Sequence, residues 1–268
     1  MKKVLIPTDL TLYSLQLIRY ALNLLQNESC HITLLYLTPV TDSITDLLTL
    51  PRQQKPEAEF SQALERLRRL HSVEIQDILV AHKYCANSSD LKQFVREKQI
   101  DLVLSTVSRS PNTEALSYFN ELLQDIPFPV LYIPEFFAPN SFRKIAFVLD
   151  AEVKNSALPD KELVDLLWRK ECRVTFLLVF KPGMSTDTLT RALARLYSSP
   201  LLAEVNYAVH LVQQQDVTEG IISFIDEYEV DLVVSCKKKS MLDYLRMGRQ
   251  ARSRERAITT KVPCLSVA

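Results

Sequence analysis

Two aspartates, Asp9 and Asp150, each follow a short apolar segment that has the pattern of a buried strand. A carboxylate at the carboxyl end of such a strand can accept hydrogen bonds from a ribose, because ligands of open α/β sheets bind beyond that edge. It can also cap the helix that follows, and Thr11 two residues after Asp9 suits a helix start. Ribose binding and helix capping are therefore alternatives for both aspartates.

A strongly basic segment lies at residues 237–261, although the formal net charge of the whole protein is zero. Such a concentration of charge could hold a phosphate or an acidic partner, and the alternative is a solvated helix face beside an exposed loop. Tyr244 is its single aromatic residue, so no stacking platform for single-stranded nucleic acid is predicted. The nine basic residues are Lys237, Lys238, Lys239, Arg246, Arg249, Arg252, Arg254, Arg256 and Lys261.

Residue patterns typical of catalysis or metal binding are missing from the sequence. It contains no G-x-S-x-G nucleophile motif, no phosphate-binding P-loop and no paired-histidine metal motif. The five cysteines are odd in number and lack CxxC spacing, which favours reduced thiols over a zinc site or a disulfide framework. His82 and His210 fall near the end of the third strand of two similar halves, and ordinary exposure is the interpretation for both. The sequence predicts a protein that is not an enzyme and carries no metal.

The sequence also predicts a cytoplasmic protein without a membrane segment. Lys2 and Lys3 precede only three apolar residues, which is too short for the apolar region of a signal peptide. No apolar run approaches the roughly 18 residues that a membrane span needs.

Four segments of the first half recur in the same order in the second half. The longest match aligns residues 91–105 with 221–235. Each segment begins with apolar residues at helical spacing, continues through an aspartate (Asp101 or Asp231), and ends in a continuous apolar run. Because the four matches keep their order over some 130 residues, the chain is interpreted as a tandem repeat. The shorter matches pair 3–9 with 144–150, 30–35 with 172–177, and 129–133 with 263–267.

Each copy is predicted to alternate five strands with four helices. The predicted strands are 3–8, 31–38, 73–81, 101–106 and 129–133 in the first copy, and 144–149, 173–180, 204–212, 231–236 and 264–267 in the second. The predicted helices are 11–26, 57–70, 88–99 and 113–124, then 160–170, 185–198, 217–228 and one within 240–258.

The strands read as continuous Val, Ile and Leu runs, which indicates burial on both faces of a parallel sheet. Right-handed crossovers then give an open, doubly wound α/β sheet in each copy. The predicted domains are 1–137 and 142–268, joined by a proline-containing linker at 134–143. We expect the copies to pack as an internal pseudo-dimer through their fifth strands, since pairing would cover two open sheet edges. A homodimer is a further option.

The order of these elements resembles the universal stress protein family. The residues that carry the resemblance are Pro7-Thr8-Asp9 after the first strand, Asp101-Leu-Val-Leu and Asp231-Leu-Val-Val at the fourth strands, and Pro127-Phe-Pro129-Val-Leu at the fifth. The resemblance covers essentially the whole chain, twice. It implies two similar domains, with adenine nucleotide bound in some members and absent from others.

Nucleotide-binding members of that family carry three glycines after the fourth strand, which let backbone N–H groups wrap the phosphates. In this chain Thr106 and Arg109 stand at the first two positions, and Phe119 and Asn120 lie near the third. The second copy has Lys237 to Lys239 there, with only Gly248 near the third position. The whole chain has three glycines where average usage of about 7% would give roughly nineteen. ATP binding of the usual kind is therefore not expected.

Two hypotheses follow from these residues. The first is a non-enzymatic stress-response protein that regulates or binds an unknown protein partner, with degenerate nucleotide sites and no cofactor. The second is an adenine-nucleotide sensor with weak ATPase activity, in which lysines replace the glycine loop. The degenerate site would comprise Pro7, Thr8, Asp9, Thr106 and Arg109 in the first copy, and Asp150, Lys237, Lys239 and Gly248 in the second.

Overall fold

The structure is a computed structural model. The chain forms two compact units, Met1–Glu135 and Phe136–Ala268. The described residues are 2–12, 14–25, 28–40, 56, 58–107, 114–123, 126–134, 142–149, 172–199, 202, 206–235 and 262–267.

The first unit contains five parallel strands in the order β3-β2-β1-β4-β5. The chain therefore runs outward from β1 to one edge, returns across the sheet, and continues to the other edge. This reversal places a topological switch point between β1 and β4, where ligands of such sheets bind. The strands are β1 (Lys2–Pro7), β2 (Cys30–Pro39), β3 (Ile75–Cys85), β4 (Leu102–Val107) and β5 (Val130–Pro134).

Four helices lie among the described residues that connect these strands. Val4, Leu5 and Ile6 of β1 are all fully buried although their side chains alternate between faces, so helices cover both faces of the sheet. The helices are α1 (Gln16–Leu25), α2 (Ala58–Leu70), α3 (Ser88–Lys98) and α4 (Glu114–Leu122).

The second unit has the same strand order. Its parallel strands lie in the order β8-β7-β6-β9-β10, and β6 takes the position of β1. Its strands are β6 (Lys144–Leu149), β7 (Arg173–Phe180), β8 (Tyr207–Gln213), β9 (Leu232–Ser235) and β10 (Cys264–Ser266). Its described helices are α5 (Thr186–Tyr197) and α6 (Val217–Tyr228). The predicted fold class, an open doubly wound five-stranded parallel sheet in each half, is confirmed.

The repeat is visible in matched hydrogen bonds where a helix enters the fourth strand of each unit. In the first unit, Asp101 Oδ2 accepts from the backbone N–H of Lys3 at 2.7 Å, and Lys3 Nζ donates to Gln99 Oε1 at 2.8 Å. In the second, Asp231 Oδ2 accepts from the same position, Lys144 N, at 2.8 Å, and Lys144 Nζ donates to Glu229 Oε2 at 2.9 Å. The aspartate that the repeat preserves therefore fastens the start of the first strand to the fourth.

A side chain from α2 covers part of the unpaired edge of β3, the first strand in the order of the first unit. β3 pairs only with β2 among the described strands. The Cys85 carbonyl points toward β2, because it accepts a hydrogen bond from Val40 N just beyond the end of that strand. Successive carbonyls of a strand point to opposite sides, so the Ile78 carbonyl, seven residues earlier, points away from β2. The Arg68 guanidinium on α2 donates a hydrogen bond to that Ile78 carbonyl and lies 4.0 Å from Asp77.

The predicted elements match the observed ones closely, with two differences. α1 begins at Gln16 rather than at 11, because Leu10 adopts a left-handed backbone (φ 64°) and the following residues form a turn. β3 extends to Cys85, four residues beyond its predicted end. The predicted helices 160–170 and 240–258 lie outside the described residues. Pairing between the fifth strands stays a prediction.

Replacing Gln99 with glycine should stabilise the first unit by about 0.5–1 kcal/mol. Gln99 ends α3 in the left-handed region (φ 54°), where a β-carbon is unfavourable and glycine is not. The exposed hydrogen bond to Lys3 that is lost contributes little. Gln99→Ala is the matched control, since it loses the same bond and keeps the backbone cost. If both variants have the same free energy of unfolding in urea, the left-handed residue costs nothing.

Candidate functional site

The carboxyl end of β1 holds the first group of predicted site residues. Pro7 ends the strand, and the backbone N–H of Thr8 still donates to the Leu35 carbonyl of β2 at 2.9 Å. Asp9 is half-buried, and its Oδ1 accepts from both the backbone N–H (3.1 Å) and the hydroxyl (2.6 Å) of Thr11. Asp9 therefore closes a turn with Thr11 and does not cap α1, which begins at Gln16.

A closed set of hydrogen bonds fixes this turn. The buried Thr8 hydroxyl accepts from Leu10 N at 2.9 Å and lies 2.7 Å from the buried hydroxyl of Ser14. Because Ser14 Oγ donates its own proton to the Thr11 carbonyl at 2.8 Å, Thr8 is the donor between the two hydroxyls. These bonds hold the turn in which Leu10 adopts its left-handed backbone.

Asn120 links α4 to the carboxyl end of β4, the second group of predicted site residues. Its Oδ1 accepts from the Ser105 hydroxyl at 2.6 Å, and its Nδ2 donates to the Thr106 carbonyl at 3.0 Å. Ser105 and Thr106 are 1% and 2% exposed, and Phe119 beside Asn120 is 1% exposed. The residues at the first and third glycine positions of the family motif thus belong to the core and its hydrogen bonds.

The other predicted site residues lie outside the described residues, so their roles stay predictions: Arg109, Asp150, Lys237, Lys239 and Gly248.

A third group of polar residues at this edge did not emerge from the sequence. His82 on β3 places Nε2 2.7 Å from the Thr38 hydroxyl on β2, and its ring packs edge-on against Tyr84 at 4.6 Å and tilted against Tyr36 at 5.3 Å. Burial lowers the pKa of His82, which favours the neutral imidazole. Its Nδ1 is buried with no hydrogen-bond partner in the described part of the chain.

Asp9 joins this third group electrostatically. The pKa of Tyr36 is raised by burial and by the negative charge of Asp9. A signal for this group is present in the sequence. Tyr36 and Thr38 are two residues apart near the carboxyl end of β2, as are His82 and Tyr84 on β3, and this spacing places each pair on one face of its strand.

His82 and His210 both lie on the third strand of their unit, but they do not occupy equivalent positions. The registers align His82 with Tyr36, but His210 with Leu177, and Leu177 corresponds to Leu35 through the repeat. The two histidines therefore lie on opposite faces of their sheets. His210 packs edge-on against Phe224 and Tyr228 of α6, at 5.3 and 4.8 Å between ring centres.

The described thiols do not form a reactive centre. Burial raises the pKa of Cys30 to about 11 and that of Cys85 to about 11, so both are protonated near neutral pH. Burial also raises the pKa of Cys264. In the described ranges, no group of three His, Cys, Asp or Glu side chains is placed to hold a metal ion.

The fold and this edge define a class of proteins, the doubly wound α/β domains whose ligand edge lies beyond the first and fourth strands. A family model described as universal stress protein family matches residues 1–134. The chain belongs to the universal stress protein family.

Two solved structures share the fold over the whole chain. A universal stress protein from Archaeoglobus fulgidus DSM 4304 is 13% identical, with a TM-score of 0.59 and coverage of 99% of this chain and 97% of that one. A protein of unknown function from Pseudomonas aeruginosa PAO1 is 9% identical, with a TM-score of 0.54 and coverage of 100% and 92%. No curated protein matches the sequence.

The longest described helix, α2, has 13 residues, and none of the described helices has the length and apolar character that a membrane span requires.

Proposed function

We propose that this protein is a non-enzymatic regulatory or interaction member of the universal stress protein family whose first unit does not bind ATP in the usual way. The observation that carries the proposal is the Asn120 bridge to Ser105 and Thr106. Glycine loops hold phosphates through free backbone groups at close approach. Here the corresponding strand end is bonded to a side chain of its own unit.

The edge beside β1 supports the same conclusion. The Thr8 and Ser14 hydroxyls bond to each other, and Asp9 Oδ1 is occupied by Thr11. A nucleotide ribose or phosphate would have to displace these internal bonds, and each displaced buried bond costs about 1 kcal/mol or more.

The nearest approach to a catalytic pair among the described residues is Thr38 with His82. Their 2.7 Å contact has the geometry of a hydroxyl and its base. Catalytic pairs of this kind also need a third group that orients the imidazole, and His82 Nδ1 has no hydrogen-bond partner in the described part of the chain. The pair therefore supports a structural contact rather than acid–base chemistry.

Calorimetric titration with Mg-ATP tests the proposal. We expect no saturable binding below about 1 mM and no release of phosphate over hours, because residues 1–134 contain none of the glycines of the family's phosphate loop. Two variants assign any binding that is seen: Asp9→Ala alters the first unit, and the combined change of Lys237, Lys238 and Lys239 to serine alters the basic segment of the second.

The two variants separate the outcomes. A micromolar dissociation constant that survives the triple lysine change and is lost in Asp9→Ala would contradict the proposal. Binding of ATP and inorganic phosphate alike, lost in the triple variant and weakened steeply by salt, would instead identify the predicted anionic ligand site at 237–261.

A further inference from the structure

The second unit contains a cavity of about 340 Å³ that lies away from the family's ligand edge. It is bordered by the amino ends of β6 and β7, by β8, and by the last turn of α6. Pockets of this size hold small organic ligands. The lining residues that the argument uses are Lys144, Arg173, Thr175, Ala208, Glu227 and Tyr228.

Comparison of the two units shows that a smaller side chain borders this cavity in the second. Ala208 pairs with Thr175 in the same register as Leu79 with Thr33 in the first unit, so a smaller side chain stands in the second unit. The ring of His210 packs against the stacked rings of Phe224 and Tyr228, which lie 4.3 Å apart. Tyr228 thereby presents a fixed aromatic wall to the cavity.

The helix end at the cavity has an excess of negative charge. The last turn of α3 contains two basic residues, Arg96 and Lys98, whereas the last turn of α6 contains none. Asp226, Glu227 and Glu229 stand there instead, at a helix end that already carries partial negative charge. Lys144 balances one of these carboxylates, Glu229, and the remaining negative charge favours a further cation at this end of the cavity.

Two basic side chains line the cavity, and among the described residues Lys144 forms an ion pair whereas Arg173 does not. Lys144 Nζ donates to Glu229 Oε2 at 2.9 Å and to the Tyr228 carbonyl at 3.3 Å, and this contact lowers the pKa of Glu229. Arg173 is exposed, and the described residues give its guanidinium no ion pair. Glu227 likewise has no ion pair among them. The cavity therefore offers an available guanidinium and an available carboxylate.

We propose that this cavity binds a small zwitterion, such as an amino acid or a dipeptide. The ligand carboxylate bonds to Arg173, because a guanidinium matches a carboxylate in two parallel hydrogen bonds. The ligand ammonium lies at the end of α6, near Glu227 and the face of Tyr228, where the carboxylate, the helix end and the aromatic ring all favour a cation. The site is independent of the function proposed for the first unit.

Proton NMR of the His210 ring provides a readout at the cavity itself. The full-length chain is titrated with glycine, 4-aminobutyrate, 6-aminohexanoate and glycylglycine, and separately with acetate and methylammonium. The His210 resonance is assigned by its loss in His210→Gln. We expect a saturable shift with at least one zwitterion, at an affinity ten or more times that of either single-charge probe.

Matched variants connect that shift to the named groups. Arg173→Gln should weaken zwitterion binding ten-fold or more, while Lys181→Gln, an exposed change elsewhere in the second unit, should leave it unaltered. Glu227→Gln should weaken it as well, with Glu219→Gln on the same helix as its control. A His210 ring that does not respond to any zwitterion at 20 mM would overturn the proposal, as would equal binding by acetate or methylammonium, or full binding by Arg173→Gln.

Discussion

Replacing Gly220 with alanine should destabilise the second unit by up to about 2 kcal/mol, although alanine is the better helix former by about 1 kcal/mol. A β-carbon at Gly220 would lie 2.7 Å from Val179 Cγ1 and 3.2 Å from Gln214 Cβ. Val179 is buried on β7, and its branched side chain has few rotamers into which it can retreat. Overpacking of this kind costs about 1–3 kcal/mol before the helical gain is subtracted.

Urea unfolding followed by tryptophan fluorescence measures this effect, because the single tryptophan, Trp168, belongs to the second half of the sequence. Ser223→Ala on the exposed face of α6 is the control and should stabilise by a few tenths of a kcal/mol. The double change with Val179→Ala should cost less than the sum of the two single changes by about 1 kcal/mol. Stabilisation by Gly220→Ala would show that α6 and β7 are not in close contact.

Asp231→Ala should cost about 1–2 kcal/mol, and Asp101→Ala about half as much. The carboxylate of Asp231 accepts two backbone N–H bonds, from Arg143 at 2.9 Å and Lys144 at 2.8 Å, whereas Asp101 accepts one, from Lys3. Hydrogen bonds to a charged acceptor contribute more than neutral ones, and partial exposure reduces both values.

Hydrogen–deuterium exchange of peptides covering 2–7 and 143–149 resolves the two units in one experiment. Protection should fall more at 143–149 in Asp231→Ala than at 2–7 in Asp101→Ala. Asparagine at either position keeps an acceptor oxygen and should recover part of the loss. Equal losses at both sites would mean that the second N–H bond has no energetic weight.

The parts of this fold that sequence predicts well are those set by periodicity. The continuous apolar runs of β1 and β6 fixed their positions to within a residue, since a strand buried on both faces has few alternatives. The start of α1 was not predictable in the same way. It depends on Leu10 in a left-handed conformation, which a helical apolar pattern does not indicate.

The candidate site shows the same division. Asp9 is predicted because it follows a strand, which requires only the order of the elements, and Thr106 because it stands at the first glycine position of the family motif. The Asn120 bridge and the His82–Thr38 contact join residues that are 14 to 15 and 44 positions apart, so they depend on register and helix placement. His82 and His210 are the clearest case, because a difference of one residue in strand register places their side chains on opposite faces.

The hydrogen bond from Arg68 to the Ile78 carbonyl bears on aggregation of the protein at high concentration. An open strand edge presents unpaired carbonyls to which a strand of another molecule can add, and such addition begins aggregation. Arg68 occupies one of these carbonyls with a charged group, near an irregularity in strand pairing between Cys30 and His31. The first half of β3 is therefore less able to accept a strand from another molecule. The resistance of the protein to aggregation at this edge depends on Arg68, a side chain of the preceding helix.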